Sequence, residues 1–318
     1  MKTQTATRLT TLAILCAVVG ASAAFLEICD PTLIDGCQIA PEAVCTGVNM
    51  RRATLVGTDL SRARVLNSTL TRVDLKDADL RGADLSGSRL DAADLRGASM
   101  RGARLFGTDL SGARLGEVDM KGTELASAFA FGAQMTQVNL SGAGLDFVML
   151  GGADLYKANL SGSKGFFTNL AFVRGGAANF SGAELILSSL WGAQMPGANF
   201  ERAALGGASL WRAGLRGANF KGANLQEAFC EGADLRGANF EGADLTEAWL
   251  LDARLAGARW KNTICPDGSN SDANGGSCEK NLGLQASAAA QGNHDKWVQF
   301  AKDNPLGQRP IDTRPPAE

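Results

Sequence analysis

The chain has 318 residues, with 31 basic and 33 acidic side chains, a single His and 39 Gly. A charge this close to balance does not indicate a nucleic-acid partner or a strongly acidic surface. The only imidazole, His294, lies near the C-terminus, so no Ser-His or Cys-His nucleophile system is available within the repeats, and the sequence has no Cys/His metal cluster.

Residues 1–24 have the pattern of a secretory signal peptide. Lys2 and Arg8 supply positive charge, residues 12–19 are apolar, and the small residues 21–23 form a cleavage site. The apolar run is too short to span a bilayer. We therefore expect a periplasmic or secreted protein with no integral membrane segment once the signal is removed.

Cysteine usage agrees with export. Removal of residues 1–24 leaves an even number of cysteines, which outside the reducing cytoplasm indicates disulfides. Three of them, Cys29, Cys37 and Cys45, lie in residues 25–45, a segment with Pro31 and Pro41 that we interpret as an N-terminal cap. At most two of the three can pair with each other, and the sequence leaves the choice open.

Residues 46–264 repeat a five-residue word. Residues 233–245 read Ala-(Asp/Asn)-(Leu/Phe)-x-Gly without interruption. Almost every multiple of five is a large apolar residue, and a small residue lies two positions before it. The exceptions at the multiples of five are Ala130, Gly165, Gly175 and Cys230. A period of five fits neither a helix nor a strand, whereas a coil with flat sides, one word per side, points every fifth residue inward.

This pattern resembles the pentapeptide-repeat family. The resemblance implies an all-β fold, a right-handed quadrilateral parallel β-helix with four words per coil and the central Leu or Phe inside. The spacing agrees, because aromatic residues and asparagines each recur at intervals of twenty and would stack in ladders. At ~4.8 Å per coil, roughly eleven coils would form a rod ~50 Å long. The recurring residues are Phe180, Phe200, Phe220, Phe240 and Trp260, and Asn139, Asn159, Asn179, Asn199, Asn219 and Asn239.

The three remaining cysteines, Cys230, Cys265 and Cys278, have different expected roles. Cys230 falls on an inward position and is predicted to be a buried free thiol. Residues 265–282 form a turn-rich loop bracketed by Cys265 and Cys278, which resembles the disulfide-closed loop of exported family members. The resemblance implies a Cys265–Cys278 disulfide, worth ~3 kcal/mol in the chain-entropy model.

The same loop has a competing calcium interpretation, because several of its residues carry side-chain oxygens. The loop lacks the bidentate Glu and the ligand order of an EF-hand, and the same residue types are common in tight turns. We favour turn chemistry and expect no metal. The oxygen-bearing residues are Asp267, Ser269, Ser271, Asp272 and Asn274.

Residues 283–318 lie beyond the repeat. Short helices are predicted at 284–290 and 295–303, followed by a Pro-rich, extended end. Trp297 and Phe300 would share one face of the second helix. We expect this tail to lie against the rod or against a partner.

The sequence does not indicate catalysis. A straight rod presents its side chains outward in flat arrays, and carboxylate pairs such as Asp74 and Asp94 are interpreted as part of a solvated face. A glycosidase would need two carboxylates flanking a cleft, and the pattern produces none. A phosphate-cradling loop is missing from the sequence as well. We therefore expect neither an enzyme nor a cofactor.

The outward positions predict an apolar belt where the sides centred on Leu85-type and Leu90-type positions meet. A contiguous apolar surface needs an explanation that single exposed residues do not. Three explanations stay open: the C-terminal tail covers the belt, a homodimer or another protein binds it, or it contacts lipid or polysaccharide. The belt residues are Phe129, Phe131, Phe147, Met149, Phe166, Phe167, Ile186, Leu187, Trp191, Trp211, Phe229, Trp249 and Leu251.

The leading functional hypothesis is an exported, non-enzymatic scaffold that binds a protein partner, or itself, through the apolar belt. The family suggests a second hypothesis, a DNA mimic that binds topoisomerases, but this needs a cytoplasmic, strongly acidic rod. An envelope enzyme is a third. The first half of this chain is basic, which disfavours mimicry. Its arginines include Arg51, Arg52, Arg62, Arg64, Arg81, Arg89, Arg96, Arg101 and Arg104.

Overall fold

The computed structural model describes residues 32–280 and residue 282. The predicted signal peptide, Cys29 and the tail 283–318, which includes His294, lie outside the described residues.

An antiparallel hairpin begins the described chain. Strands β1 (Leu33–Ile34) and β2 (Cys37–Gln38) are joined by Asp35 and Gly36. Both turn residues have positive φ, 51° and 73°, as a type I′ hairpin turn requires, and Asp-Gly is a preferred pair there. The Asp35 carboxylate accepts a hydrogen bond from the Asn49 amide at 2.7 Å, so the hairpin is fixed to the first coil.

A disulfide also fixes this hairpin to the rod. Cys37 in β2 is bonded to Cys45 in β3 (Val44–Thr46). The choice that the sequence left open among three cysteines is thus Cys37 with Cys45. Their Cα atoms are 5.5 Å apart, within the usual range for a disulfide.

Parallel pairing with a constant offset of twenty residues builds the rod. Strand β3 pairs in parallel with β4 (Arg64–Leu66). Beyond it, single-residue bridges join every fifth residue to the residue twenty positions later, as far as Asp244 with Ile264. Four words therefore complete one coil, and each word contributes one side of a square.

Each corner of the square is a tight turn that explains the glycine of the word. The Ala238 amide donates to the Leu235 carbonyl at 3.0 Å, which closes a four-residue turn. Its third residue, Gly237, has a φ of 67°. Glycine adopts this left-handed conformation without steric cost, whereas other residues are strained there.

The interior is a continuous apolar column. The central residue of each word is buried along the rod, and so is the small residue two positions earlier except near the two ends, where Ala53 and Ala258 are partly buried. On one side, Phe180, Phe200, Phe220, Phe240 and Trp260 stack with ring centroids 4.9–5.3 Å apart. The twenty-residue recurrence in the sequence therefore corresponds to physical stacking.

The inward exceptions are accommodated by their neighbours. A Cβ added at Gly175 would lie 3.1 Å from atoms of the Met195 side chain, so Met195 fills this space. Cys230 is a buried free thiol, and burial raises its pKa to about 12. Because the thiolate is the reactive form, this thiol is chemically inert at neutral pH.

The C-terminal loop closes the last coil. Cys265 and Cys278 form a disulfide, and the loop contains a 3-10 helix, Ser271–Asn274, capped by the Asn270 side chain. The buried Ser271 hydroxyl donates to the Trp260 carbonyl. Between residues 32 and 280, no group of three or more His, Cys, Asp or Glu residues could hold a metal ion.

Candidate functional site

One side of the square carries most of the apolar belt, together with the corners on either side of it. The belt therefore spans more than the single corner that the sequence suggested. We call this the belt side. Its middle column holds Phe129, Met149, Phe229 and Trp249; its first corner holds Phe147, Phe166, Phe167, Ile186 and Leu187; its second corner holds Phe131, Trp191, Trp211 and Leu251.

The first corner presents a cluster of phenylalanines. The Phe166 ring packs edge-on against Phe167 at 4.4 Å, and the Phe147 ring stacks on Phe167 at 5.9 Å. Phe147 and Phe166 are 52% and 41% exposed. Because the rings of this cluster support one another, they form a preformed apolar surface rather than independent mobile side chains.

Backbone conformation indicates that the repeat itself does not require this cluster. Phe147, Phe167 and Leu187 have φ of 58°, 53° and 53°, at the corner position where about half of the words have Gly. A bulky side chain in this conformation costs ~1–2 kcal/mol relative to glycine.

The second corner carries a stacked tryptophan pair. The Trp191 and Trp211 rings lie 5.3 Å apart at an interplanar angle of 17°, and the Arg212 guanidinium lies 5.0 Å from the Trp211 ring centroid. Phe172 contacts Trp191 at 5.0 Å. These contacts leave the tryptophans half-buried, so less apolar surface meets water than the sequence alone implied.

Phe172 belongs to this surface although the belt predicted from the sequence did not include it. It is 46% exposed. A Cβ at Gly192, one coil later, would lie 2.6 Å from the Phe172 ring, so this glycine leaves room for the ring. Its position in the repeat could have identified Phe172, because it lies at the same corner as Gly192 and Arg212, one coil before the first and two coils before the second.

Two further aromatic residues are exposed outside the predicted set. Phe106, 59% exposed, continues the first corner of the belt side toward the N-terminus. Tyr156, 48% exposed, lies at a corner away from the belt side, with the Lys157 ammonium 5.3 Å from its ring. Phe106 thus extends the belt, and Tyr156 is an isolated aromatic residue.

The exposure of the side chains in the middle column of the belt side changes along the rod. Phe129 is 42% exposed, whereas Asn169, Ser189, Ser209 and Phe229 are only 2%, 6%, 8% and 3% exposed. In the other three outward columns, the residues that form the β-bridges between coils are all exposed or half-buried from Thr54 to Ile264. The C-terminal part of the belt side therefore has a surface different from any other on the described rod.

The other sides carry mixed charge and amide ladders. Asp94 pairs with Arg96 at 2.7 Å and with Arg114 at 3.3 Å, and the hydrogen bond from Arg96 lowers the pKa of this carboxyl. Asp74 pairs with Lys76 at 3.0 Å. The Asp94 carboxylate is therefore held in its charged form by cations, which is not how a catalytic acid is prepared.

An asparagine ladder occupies the side opposite the belt. The Asn139 amide donates to Asp119 at 2.9 Å, and each later asparagine donates to the one before it at 2.9–3.2 Å, as far as Asn239. Each Oδ1 in the ladder through Asn239 also accepts a backbone amide two residues on. This side is consequently a structural ladder whose polar groups are largely satisfied.

Comparison with known protein families gives a match over most of the chain. It matches the family model for Pentapeptide repeats in eight copies. The matched residues are 39–65, 68–105, 103–142, 130–162, 177–212 and 213–250. These segments make up more than half of the chain.

The chain belongs to the pentapeptide-repeat family. Its four-sided coil is accordingly the right-handed quadrilateral β-helix of that family. A comparison with curated proteins found no match. In the part of this pentapeptide-repeat protein that the structure describes, no helix has the length and apolar character needed to cross a bilayer.

Solved structures of the family are similar to this chain. HetL, a pentapeptide repeat protein involved in heterocyst differentiation regulation in the cyanobacterium Nostoc sp., is 34% identical over 72% of this chain and 90% of HetL, with a TM-score of 0.39. A protein from the thylakoid lumen of Arabidopsis thaliana is 30% identical over 32% of this chain and 70% of its own, with a TM-score of 0.31. QnrB1, a plasmid-mediated fluoroquinolone resistance protein, is 19% identical over 76% of this chain and 97% of its own, with a TM-score of 0.25.

Proposed function

We propose that this protein is an exported, non-enzymatic scaffold that binds a protein partner through the apolar belt. Under this proposal the chain comprises a signal peptide (1–24), a cap (25–45), a rod of roughly eleven coils (46–264), a closing loop (265–282) and a tail (283–318). The rod positions the belt and the two disulfides stabilise its ends.

The observation that carries the proposal is the preformed cluster of Phe147, Phe166 and Phe167 on the belt side. Its rings contact one another at 4.4–6.3 Å, yet two of them remain more than 40% exposed. Contiguous, rigid aromatic surface at the edge of a flat face is typical of protein-interaction cores. Aromatic anchors also dominate binding energy in such interfaces.

Electrostatics supports a protein partner over the alternatives. A DNA mimic needs a continuous acidic surface, whereas the described sides interleave both signs, for example Arg104 with Glu124 and Lys164 with Glu184. An envelope enzyme needs a cleft with a convergent acid and base, and the flat belt side offers neither among its described residues. A homodimer through the belt is a special case of the proposal.

Two disulfides support export. Cys37–Cys45 and Cys265–Cys278 stabilise the two ends of the described rod, and such bonds persist in oxidising compartments. Export brings the belt into contact with envelope or extracellular proteins.

Site-directed photo-crosslinking in intact cells tests the proposal. A photoreactive amino acid at Phe129, Phe147 or Phe166 is expected to give a discrete cross-linked band, either with one other protein or with a second copy. The same amino acid at Tyr156, an aromatic residue of similar exposure away from the belt side, is the matched control. Equal cross-linking from Tyr156 and the belt positions, or none from any belt position, would contradict the proposal.

A further inference from the structure

The corner that carries Phe166 and Phe167 is built differently from its neighbours along the rod. At an ordinary corner, the amide of the fourth turn residue donates directly to the carbonyl of the first. Here the hydroxyl of Ser188, in the next coil, lies between the two groups. The Thr168 amide donates to Ser188 Oγ at 3.1 Å, and the Ser188 hydroxyl donates to the Gly165 carbonyl at 3.2 Å. Because a direct hydrogen bond would bring the two backbone groups to ~3 Å, the inserted hydroxyl holds the corner open.

The residue one coil later decides whether a first corner of the belt side is open or closed. Among the described first corners, from residues 45–48 to residues 225–228, every corner with Ala, Val or Thr at that position has the direct bond. A threonine hydroxyl donates to the same carbonyl but leaves the direct bond in place, as at Thr108. Where the residue is serine, its hydroxyl accepts the corner amide instead, and these serines are Ser68, Ser88 and Ser188.

A second side chain holds the Phe166 corner from the preceding coil. The Phe166 amide donates to the Asp146 carboxylate at 2.8 Å. At other corners the equivalent amide binds a side chain two residues earlier, for example Ser86 on Asp84 at 3.1 Å. The residue two positions before Phe166 is Lys164, whose side chain has no acceptor. Asp146 therefore supplies the acceptor that the local word lacks.

Gly165, an exception to the apolar rule at multiples of five, makes room for this arrangement. A Cβ at Gly165 would lie 2.1 Å from Thr168 Oγ1, so the Thr168 hydroxyl occupies the space of the missing side chain. From there it donates to the Leu145 carbonyl at 2.8 Å. The glycine is thus explained by the open corner beside it.

The open corner determines how its two rings are presented. Phe166 and Phe167 are the middle residues of the turn, so the directions of their side chains follow the backbone between Gly165 and Thr168. The Phe167 amide lies 3.3 Å from the Ile186 carbonyl, whereas the equivalent bond is 2.9 Å at the corners immediately before and after. The backbone of the open corner therefore lies less close to the next coil, and closing it would move both rings.

We propose that Ser188 and Asp146 are positioning residues, which hold this corner open and thereby fix the Phe166 and Phe167 rings in the orientation that a partner binds. The binding step rests on the proposed function, whereas the effect on the rings is a property of the isolated chain. Ser188 is fully buried, so it acts on a partner only through the corner that it holds. Rings held in place before binding favour affinity, because the partner does not have to immobilise them.

Fluorine NMR of the purified full chain tests the effect on the rings. 4-Fluorophenylalanine at Phe166 gives a single reporter signal. Ser188→Ala should shift this signal, because the corners that have Ala one coil later are closed. Ser188→Thr should shift it as well, although it keeps a hydroxyl. Ser88→Ala is the matched control, since Ser88 makes the same two hydrogen bonds, at 3.0 and 2.7 Å, at a corner without aromatic residues.

The inference requires the signal to move in both Ser188 variants and to stay at the parent position in Ser88→Ala. A parent-like signal in both Ser188 variants, with circular dichroism showing that they are folded, would overturn it. An equal shift in Ser88→Ala would also overturn it, because the change would then be a general response of the rod to a lost hydroxyl.

Photo-crosslinking in intact cells tests the binding step. With the photoreactive amino acid at Phe129, outside this corner, Ser188→Ala should weaken the cross-linked band about fivefold or more, because a partner must immobilise the freed rings again. Ser88→Ala should leave the band unchanged. A shifted fluorine signal with an unchanged band in Ser188→Ala would overturn the binding role of the corner. The absence of a band from the parent chain would refute the proposed function, and the fluorine comparison would still decide whether Ser188 positions the rings.

Discussion

Replacing Phe220 by alanine removes the middle ring of the interior aromatic column. Phe220 is fully buried and stacks at 5.0 Å on Phe200 and at 5.3 Å on Phe240. Loss of a buried phenylalanine side chain costs ~3–5 kcal/mol, including the cavity that remains. Coils contact only their neighbours, so a defect at this position also uncouples the two parts of the rod.

Urea denaturation followed by circular dichroism measures this effect. Phe220→Ala should lower the unfolding midpoint and broaden the transition, because the two parts of the rod lose cooperativity. Phe220→Leu, which restores the residue type of the other interior columns, should cost only ~1–2 kcal/mol. Phe166→Ala, at a 41% exposed position, is the surface control. A Phe220→Ala cost within ~0.5 kcal/mol of that control would refute the stacked interior.

Three further predictions concern the ends, the ladder and pH. Cys278→Ser should lower the free energy of unfolding by ~3 kcal/mol through loss of its disulfide with Cys265; no change in the melting temperature would contradict this. Asn179→Ala removes three hydrogen bonds and should cost ~1–3 kcal/mol, measured by the same urea titration. The pKa of Asp94 is lowered by its hydrogen bond from Arg96, so the ionised carboxylate stabilises the fold at neutral pH and this contribution is lost as acidification protonates Asp94. Asp94→Asn should therefore melt lower at pH 7 and show a shallower stability loss below about pH 4; an unchanged pH profile would count against the pair.

The interior could be predicted from the sequence because the five-residue phase never slips. An inward position is fixed by counting alone, so the Phe220 column and the buried Cys230 follow from residue number. The spacing of twenty also fixes which side chains stack, as with the asparagine ladder ending at Asn239. Local turn chemistry and a strict repeat are sufficient for this part of the fold.

The surface could be predicted only in part. Counting places Trp191 and Trp211 outside the rod, but it does not say that they stack and become half-buried. It also missed Phe172, which leans over the space left by Gly192. Counting also does not reveal that Phe229 is buried although it lies at an outward position.

The disulfide pairing of the N-terminal cysteines could not be predicted from the repeat either. Residues 25–45 carry no five-residue phase, so the sequence could not choose among Cys29, Cys37 and Cys45. The choice follows from the hairpin turn at Asp35, which places β2 beside β3. Disulfide connectivity depends on three-dimensional proximity, which cysteine spacing alone does not give.

Hydroxyl-radical footprinting of the belt, in purified protein and in intact cells, tests most directly whether this surface is engaged. Oxidation of Phe129, Phe147 and Phe166 is quantified by mass spectrometry, with exposed Tyr156 as the internal standard. A partner bound to the belt predicts that all three phenylalanines are oxidised in the dilute purified protein and protected in cells, while Tyr156 is oxidised in both. Equal oxidation of the belt in the two settings, relative to Tyr156, would contradict the assignment of the belt as the binding surface.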